Sequence, residues 1–129
     1  MVAVRYYSKS GNTKLLAEAI GKGAGVIPIS VDEDSAKITE DVDVLFVGGA
    51  LYAYGLDKRL NKFLSELDGS KVKKAVVFST SWISKHSIDL IKKALKEKGI
   101  EVADEIFYVR NKPNDKQLAE AEAFAKKFI

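Results

Sequence analysis

A short polar segment, Ser8-Lys9-Ser10-Gly11-Asn12-Thr13, lies between an apolar stretch and a predicted helix. It combines hydroxyl side chains and a glycine with the start of that helix, where the first N–H groups have no partner within the helix. These donors and the partial positive charge of a helix N-terminus favour the binding of a phosphate dianion. Gly11 allows the backbone to approach the phosphate oxygens closely. The alternative is an ordinary capped turn, because Ser, Asn and Thr are also good N-caps.

Aromatic residues occur in two further segments that each follow an apolar stretch. The first is Gly48-Gly49-Ala50-Leu51-Tyr52-Ala53-Tyr54-Gly55, and the second is Ser79-Thr80-Ser81-Trp82-Ile83-Ser84. A tyrosine flanked by glycines can lay its ring against a planar ligand, and the only tryptophan of the chain offers a second stacking face. The small polar residues leave backbone N–H and C=O groups available for the edges of such a ring. Core packing is the alternative interpretation for any one of these aromatic residues.

Several kinds of chemistry are excluded by residues that the chain lacks. It has no cysteine, which excludes disulfides, thiol catalysis, iron–sulfur clusters and Cys-ligated zinc. His86 is the only histidine, so a metal site built from several histidines is excluded as well. The nucleotide-binding patterns Gly-x-x-x-x-Gly-Lys-Ser/Thr and Gly-x-Gly-x-x-Gly are also missing. No catalytic side chain is predicted, and any redox chemistry requires a bound organic cofactor.

Five short apolar stretches alternate with helical segments, a pattern typical of a parallel sheet covered on both faces. The predicted strands span residues 2–7, 26–30, 42–48, 72–79 and 100–109. Helices are predicted over 12–22 and 56–67, before Gly99, and after Asn114, which has Gln117 three residues on as in a capping box. The charges within the fifth strand predict an edge position or a bulge near its middle, and the residues predicted to face inward from the last helix are Leu118, Ala121, Ala125 and Phe128. In residues 31–40 only Ala36 and Ile38 are expected to be buried, so a short or irregular helix is predicted there. The result is a doubly wound α/β sheet that binds ligands at the carboxyl ends of its strands.

Length and composition predict one soluble domain over residues 1–129. Apolar residues make up 47% of the chain and charged residues 30%, and no apolar run is long enough to span a bilayer. The N-terminus has no secretory signal pattern, so a cytoplasmic location is expected. The net charge is +3, but the lysines alternate with Glu and Asp along helical segments, which predicts solvated helix faces and no nucleic-acid binding.

The segment Ser8–Thr13 resembles the phosphate loop of the flavodoxins, whose pattern is Thr/Ser-x-Thr/Ser-Gly-x-Thr, at every constrained position. Residues 48–63 are similar to the second flavin loop of that family and the helix after it, and residues 78–82 to the third loop. The resemblance covers essentially the whole chain. It implies a flavodoxin-like sheet of five parallel strands in the order 2-1-3-4-5, with helices on both faces, and non-covalently bound flavin mononucleotide (FMN).

The resemblance also implies roles for individual residues. Ser8, Ser10, Asn12 and Thr13 would hold the phosphate, with backbone help from Lys9 and Gly11. Tyr52 or Tyr54 would cover one flavin face and Trp82 the other. The backbone of Ala50, Leu51, Ser79, Thr80 and Ser81 would line the ring and the ribityl chain. Gly55 or the small Ala53 would make it easy for a peptide bond of the second loop to turn over when the flavin is reduced.

The function implied is transfer of electrons between redox partner proteins, by a monomer or weak dimer. The alternative is an FMN-dependent oxidoreductase acting on a quinone or related planar substrate, because a flavodoxin-fold group that includes menaquinone-dependent protoporphyrinogen oxidase has a similar second loop. A receiver-type domain is a third interpretation, but this chain lacks the Asp cluster that such a domain requires. The chain also departs from the family, since flavodoxins are usually acidic and this chain is basic. Docking to basic partners therefore cannot be assumed.

Overall fold

The computed structural model describes residues 1–52, 55–81 and 85–129, with residues 51 and 52 described through their backbone alone. In chain order the strands are β1 (Val2–Tyr6), β2 (Ile29–Ser30), β3 (Val42–Gly49), β4 (Leu51–Tyr52), β5 (Gly55–Leu56), β6 (Val72–Thr80) and β7 (Glu101–Val109). The α-helices are α1 (Asn12–Ala24), α2 (Lys58–Glu66), α3 (His86–Glu97) and α4 (Asp115–Lys126). No helix in the described parts of the chain is long and apolar enough to cross a membrane.

The main sheet contains five strands in the order β2-β1-β3-β6-β7, and every neighbouring pair is parallel. This agrees with the predicted order once β4 and β5 are left out of the numbering. Those two strands form a separate antiparallel hairpin, in which Leu51 pairs with Leu56. The hairpin lies in the segment that the sequence analysis assigned to a loop.

The two faces of the sheet bury alternate residues of each strand, as a strand's period of two requires. Val44 and Phe46 of β3 face α1 and α4, whereas Leu45 and Val47 face α2 and α3. Both sets are buried, with relative exposures of 8% or less. Helices therefore cover both faces, and the prediction of a doubly wound sheet is confirmed.

Some boundaries differ from the prediction for identifiable reasons. β2 begins only at Ile29, after Pro28, which has no N–H to donate to a neighbouring strand. Between β2 and β3 the expected short helix is a single 3₁₀ turn, Asp34–Ala36. α2 begins at Lys58 rather than at residue 56, because Asp57 caps it by accepting a hydrogen bond from the Arg59 N–H at 2.8 Å.

The C-terminal third of the chain follows the prediction closely. β7 lies at the edge of the sheet and its pairing with β6 shifts register between Ala75 and Val77, so both the edge position and the bulge are confirmed. The capping box of α4 is present, with Asn114 and Gln117 bonded to each other's backbone. Phe124 of α4 is also buried, and it was not among the residues predicted to face inward.

Candidate cofactor site

The three segments singled out by the sequence leave the sheet side by side. Tyr6 at the end of β1 pairs with Gly48 of β3, and Gly48 pairs with Phe78 of β6. The Tyr7 N–H also donates to the Gly48 carbonyl oxygen, at 3.2 Å. The loops after β1, β3 and β6 thus share the carboxyl edge of the sheet, where open α/β sheets bind their ligands.

The loop before α1 places two serine hydroxyls beside the first amides of that helix. Ser8 Oγ accepts from the Gly11 N–H at 3.0 Å, and Ser10 Oγ accepts from the Asn12 N–H at 3.4 Å. Gly11 is the N-cap residue and has φ +96°, a left-handed conformation that favours glycine. Gly11 has no side chain with which to cap α1, and the first turn of the helix has no acidic residue. This helix end therefore combines donors with partial positive charge and places no carboxylate in competition with an anion.

Thr13 connects the first loop to the end of β6. Its Oγ1 lies 2.7 Å from Thr80 Oγ1, and the two residues are only 1% and 3% exposed. Asn12 makes a similar link to the loop after β7, because its Nδ2 donates to Asn111 Oδ1 at 3.3 Å. Asn111 was not predicted as a site residue, although a positive φ of 66° marks it as an unusual position for a residue other than glycine.

A buried hydroxyl group lies directly after β6. Ser81 Oγ is inaccessible to solvent and has no hydrogen-bond partner among the described residues. The backbone of Ser81 is already engaged, since its N–H donates to the Val109 oxygen at 3.3 Å and its carbonyl accepts from Tyr108 OH at 2.7 Å. The hydroxyl is thus the donor at this residue that is left for a ligand.

Ser79 connects the neighbouring elements through its side-chain hydroxyl. Its Oγ donates to the Gly49 carbonyl oxygen at 2.5 Å and lies 2.7 Å from Ser87 Oγ, and both serines are fully buried. These contacts join β3, β6 and the first turn of α3 through one hydroxyl. Ser87 was not predicted, because its importance depends on a contact that only the folded chain creates.

A second unpredicted cluster joins the first loop to α2. The Arg59 guanidinium donates to Tyr7 OH at 2.7 Å, lies 5.1 Å from the centre of the Tyr7 ring, and is 3.4 Å from Asp57 Oδ2. Asp57 is 5% exposed, and it also caps α2. The cluster fixes the residue that precedes Ser8.

The side chains predicted to stack on a ring lie outside the described part of the chain. Ala53, Tyr54, Trp82, Ile83 and Ser84 lie outside the described residues, as do the side chains of Leu51 and Tyr52. Gly55 is described and has φ +107°, with no atom within 4 Å of the position that a Cβ would take. Its conformation therefore needs glycine for backbone reasons alone.

The donor set of the site fits a phosphate and a neutral ring better than a metal ion. The three loops contain hydroxyls, amides and one lysine but no carboxylate in their described residues, which are 7–11, 50–52, 55–56 and 79–81. In the described parts of the chain no group of three or more His, Asp or Glu side chains could hold a metal. The amides of the first turn of α1 and the Ser81 hydroxyl, which has no partner among the described residues, are the groups that a bound FMN would contact.

Comparisons with solved structures show which proteins have this architecture. A flavodoxin from the domain Archaea is 29% identical and superposes with a TM-score of 0.86, covering 98% of this chain and 94% of that one. Oxidised flavodoxin 1 from Bacillus cereus is 22% identical, with a TM-score of 0.81 and coverage of 98% and 95%.

The same fold also occurs as part of a larger protein. The flavodiiron protein from Giardia intestinalis is 16% identical with a TM-score of 0.87, and the match covers 98% of this chain but 34% of that chain. The chain thus spans about a third of the length of that protein. No family model and no curated protein sequence matches the chain.

Proposed function

We propose that this chain, which has the flavodoxin-like fold, binds FMN non-covalently and passes electrons between redox partner proteins in the cytoplasm. The observation that carries the proposal is the start of α1 at the ligand-binding edge of the sheet, where the N-cap residue is a glycine without a side chain and the first turn has no acidic residue. The likeness to flavodoxins over nearly the whole chain supports it.

Bound FMN would supply the redox chemistry, because its ring system accepts and releases electrons one or two at a time. The chain's own residues bind and orient it. Backbone N–H groups and the hydroxyls of Ser8 and Ser10 hold the phosphate, while Thr13 and Thr80 keep that loop against β6. Ser81 donates its hydroxyl to the ring or the ribityl chain. Tyr52 or Tyr54 and Trp82 are proposed to cover the two faces of the ring.

Equilibrium binding of FMN tests the proposal directly. We expect purified protein to be yellow, or to quench FMN fluorescence on titration with a submicromolar Kd, because phosphate, ribityl and ring contacts act together. Riboflavin, which lacks the phosphate, should bind at least about 100-fold more weakly, since hydrogen bonds to charged groups each contribute about 1.5–3 kcal/mol. A colourless protein that does not bind FMN at 100 µM would contradict the proposal.

The unpaired Ser81 hydroxyl provides a second test, in which two measured quantities move in opposite directions. Ser81→Ala removes a buried group without a partner and should raise the free energy of unfolding of the FMN-free chain by about 1 kcal/mol. It should weaken FMN binding about tenfold, because the donor is lost. Urea denaturation and FMN titration measure the two effects.

Ser87→Ala is the matched control, because Ser87 Oγ already lies 2.7 Å from Ser79 Oγ. This substitution should lower the free energy of unfolding. Destabilisation by Ser81→Ala would show that its hydroxyl is already satisfied without FMN.

Nothing among the described residues favours the quinone-oxidoreductase alternative. Reductive titration of the FMN-loaded protein separates the two functions, since two successive one-electron steps support a carrier. A single two-electron step with steady turnover of a small quinone supports the enzyme.

A further inference from the structure

Positive charge is concentrated around the proposed cofactor site. It lies in the loops that follow β1, β3, β6 and β7 and in the first turns of the helices after them. The exposed cationic side chains in these segments are Lys9, Lys14, Lys58, Arg59, Lys85, Arg110, Lys112 and Lys116. The carboxylates in the same segments are Asp57, Asp89 and Asp115. We call this surface the basic face.

Two of these cations occupy positions where they weaken the helix that carries them. Lys14 lies in the first turn of α1 and Lys58 is the first residue of α2, and neither first turn contains an acidic residue. A cation near a helix N-terminus opposes the macrodipole and destabilises the helix. Selection for stability alone would favour Asp or Glu there. The basic face is therefore better explained by a partner outside the chain than by the needs of the fold.

We propose that the basic face is the docking surface for a redox partner protein whose own surface is acidic around its redox centre. The inference rests on the proposed function and makes it more specific, because a partner must approach the carboxyl edge of the sheet to exchange electrons with FMN. Opposite charges on the two surfaces speed encounter and fix orientation. Asp32, Glu33 and Asp34, which follow β2, bound the basic face on one side and direct the partner towards β1, β3, β6 and β7.

Two aromatic residues described at this surface, Tyr7 and Tyr108, favour a protein partner over a nucleic acid. Single-stranded nucleic acids stack their bases on exposed rings. At the basic face the Tyr7 ring is covered by the Arg59 guanidinium at 5.1 Å, and the Tyr108 ring by Lys85 Nζ at 5.4 Å. The large hydrophobic residues exposed in the described parts of the chain are Met1, Ile27 and Ile129, and none is aromatic. The cations are also spread over four loops rather than aligned in a stripe along one helix.

Two haem proteins of opposite net charge test the proposal: an acidic b-type cytochrome and a basic c-type cytochrome. The FMN-loaded, reduced chain is mixed with each in an anaerobic stopped-flow experiment at 10–500 mM NaCl. We expect the second-order rate constant with the acidic cytochrome to fall at least tenfold over this range, because salt screens the attraction. The rate constant with the basic cytochrome should stay level or rise.

Charge reversal locates the effect on the surface. Lys112→Glu with Lys116→Glu, neither of which is a proposed FMN ligand, should slow the reaction with the acidic cytochrome at least fivefold at 10 mM NaCl. Lys22→Glu with Lys96→Glu changes the net charge equally in the last turns of α1 and α3, at the opposite edge of the sheet. That control pair should change the rate less than twofold.

Equilibrium binding of the two cytochromes to the FMN-free chain, followed by NMR chemical shifts, tests the proposed docking surface without bound FMN. Failure to bind FMN would thus overturn the proposed function, whereas FMN binding without preference for the acidic cytochrome would overturn only the docking surface. Equal effects of the two variant pairs would also overturn it. So would tighter binding of a 20-base-pair DNA duplex than of the acidic cytochrome at 150 mM NaCl.

Discussion

Replacing Ser10 by Asp should lower the affinity for FMN by about 100-fold and leave the affinity for riboflavin within about threefold. Ser10 is exposed beside the start of α1, where its Oγ accepts from the Asn12 N–H. A phosphomonoester carries nearly two negative charges at pH 7. At about 5 Å and an effective dielectric constant of about 40, repulsion from a new carboxylate amounts to about 3 kcal/mol. Riboflavin has no phosphate, so the carboxylate has nothing to repel.

The same substitution should not harm the fold. A carboxylate near the N-terminus of a helix interacts favourably with the macrodipole, which should raise the free energy of unfolding of the FMN-free chain by about 0.5 kcal/mol. Fluorescence titration with both flavins and urea denaturation measure the three quantities. Ser10→Asn is the neutral control of similar size and should keep FMN affinity within about fivefold. Equal loss of FMN and riboflavin affinity in Ser10→Asp would mean that the phosphate does not bind at α1.

The sequence predicted the sheet well because the signals involved are local. Five apolar stretches with helical segments between them are sufficient to predict a doubly wound sheet, and the strand order then followed from the resemblance to flavodoxins. Asn114 and Gln117 form their capping box within one turn, so the pattern predicts the contact. The acidic residues in the middle of β7 likewise indicated the edge position and the bulge.

The contacts that sequence analysis missed join residues far apart in the chain. Arg59 and Tyr7 are 52 positions apart, and Tyr108 and Ser81 are 27 apart. Each pair meets only because parallel strands bring their carboxyl ends together. Thr13 illustrates the limit, since its type suggests a phosphate contact, but its buried hydroxyl lies 2.7 Å from Thr80. The loop motif thus predicts the position of a ligand site. The contact that each side chain of the motif makes depends on residues far away in the chain.

Gly48 is a further residue whose role becomes visible only in the structure. The sequence analysis made it the last residue of the predicted strand 42–48 and the first residue of the loop motif, and the structure places it within β3, paired with Phe78 of β6. A Cβ on Gly48 would lie 2.4 Å from two ring carbons of Phe78 and 2.6 Å from the Phe78 carbonyl oxygen. Phe78 is fully buried, so its ring has no free space to move into. Glycine is required here for close packing of the central strands.

Gly48→Ala should therefore lower the free energy of unfolding by about 3 kcal/mol, near the upper end for an overpacked core. Urea denaturation measures this loss. Gly49→Ala, one residue on, is the matched control. A Cβ there meets the end of the Leu60 side chain at 2.4 Å and no backbone atom closer than 3.9 Å. A side-chain end can shift more readily than a strand, so Gly49→Ala should cost only about 1 kcal/mol.

A double-mutant cycle with Phe78→Leu identifies the obstacle. Leucine removes the ring atoms that a Cβ at position 48 would meet, so the double variant should be at least about 1 kcal/mol more stable than the sum of the two single losses implies. Strict additivity would mean that the backbone oxygen alone causes the conflict. FMN affinity of the folded Gly48→Ala protein should change less than about threefold. That result would separate Gly48, which serves the packing of the central strands, from Ser10 and Ser81, which are proposed to bind the cofactor.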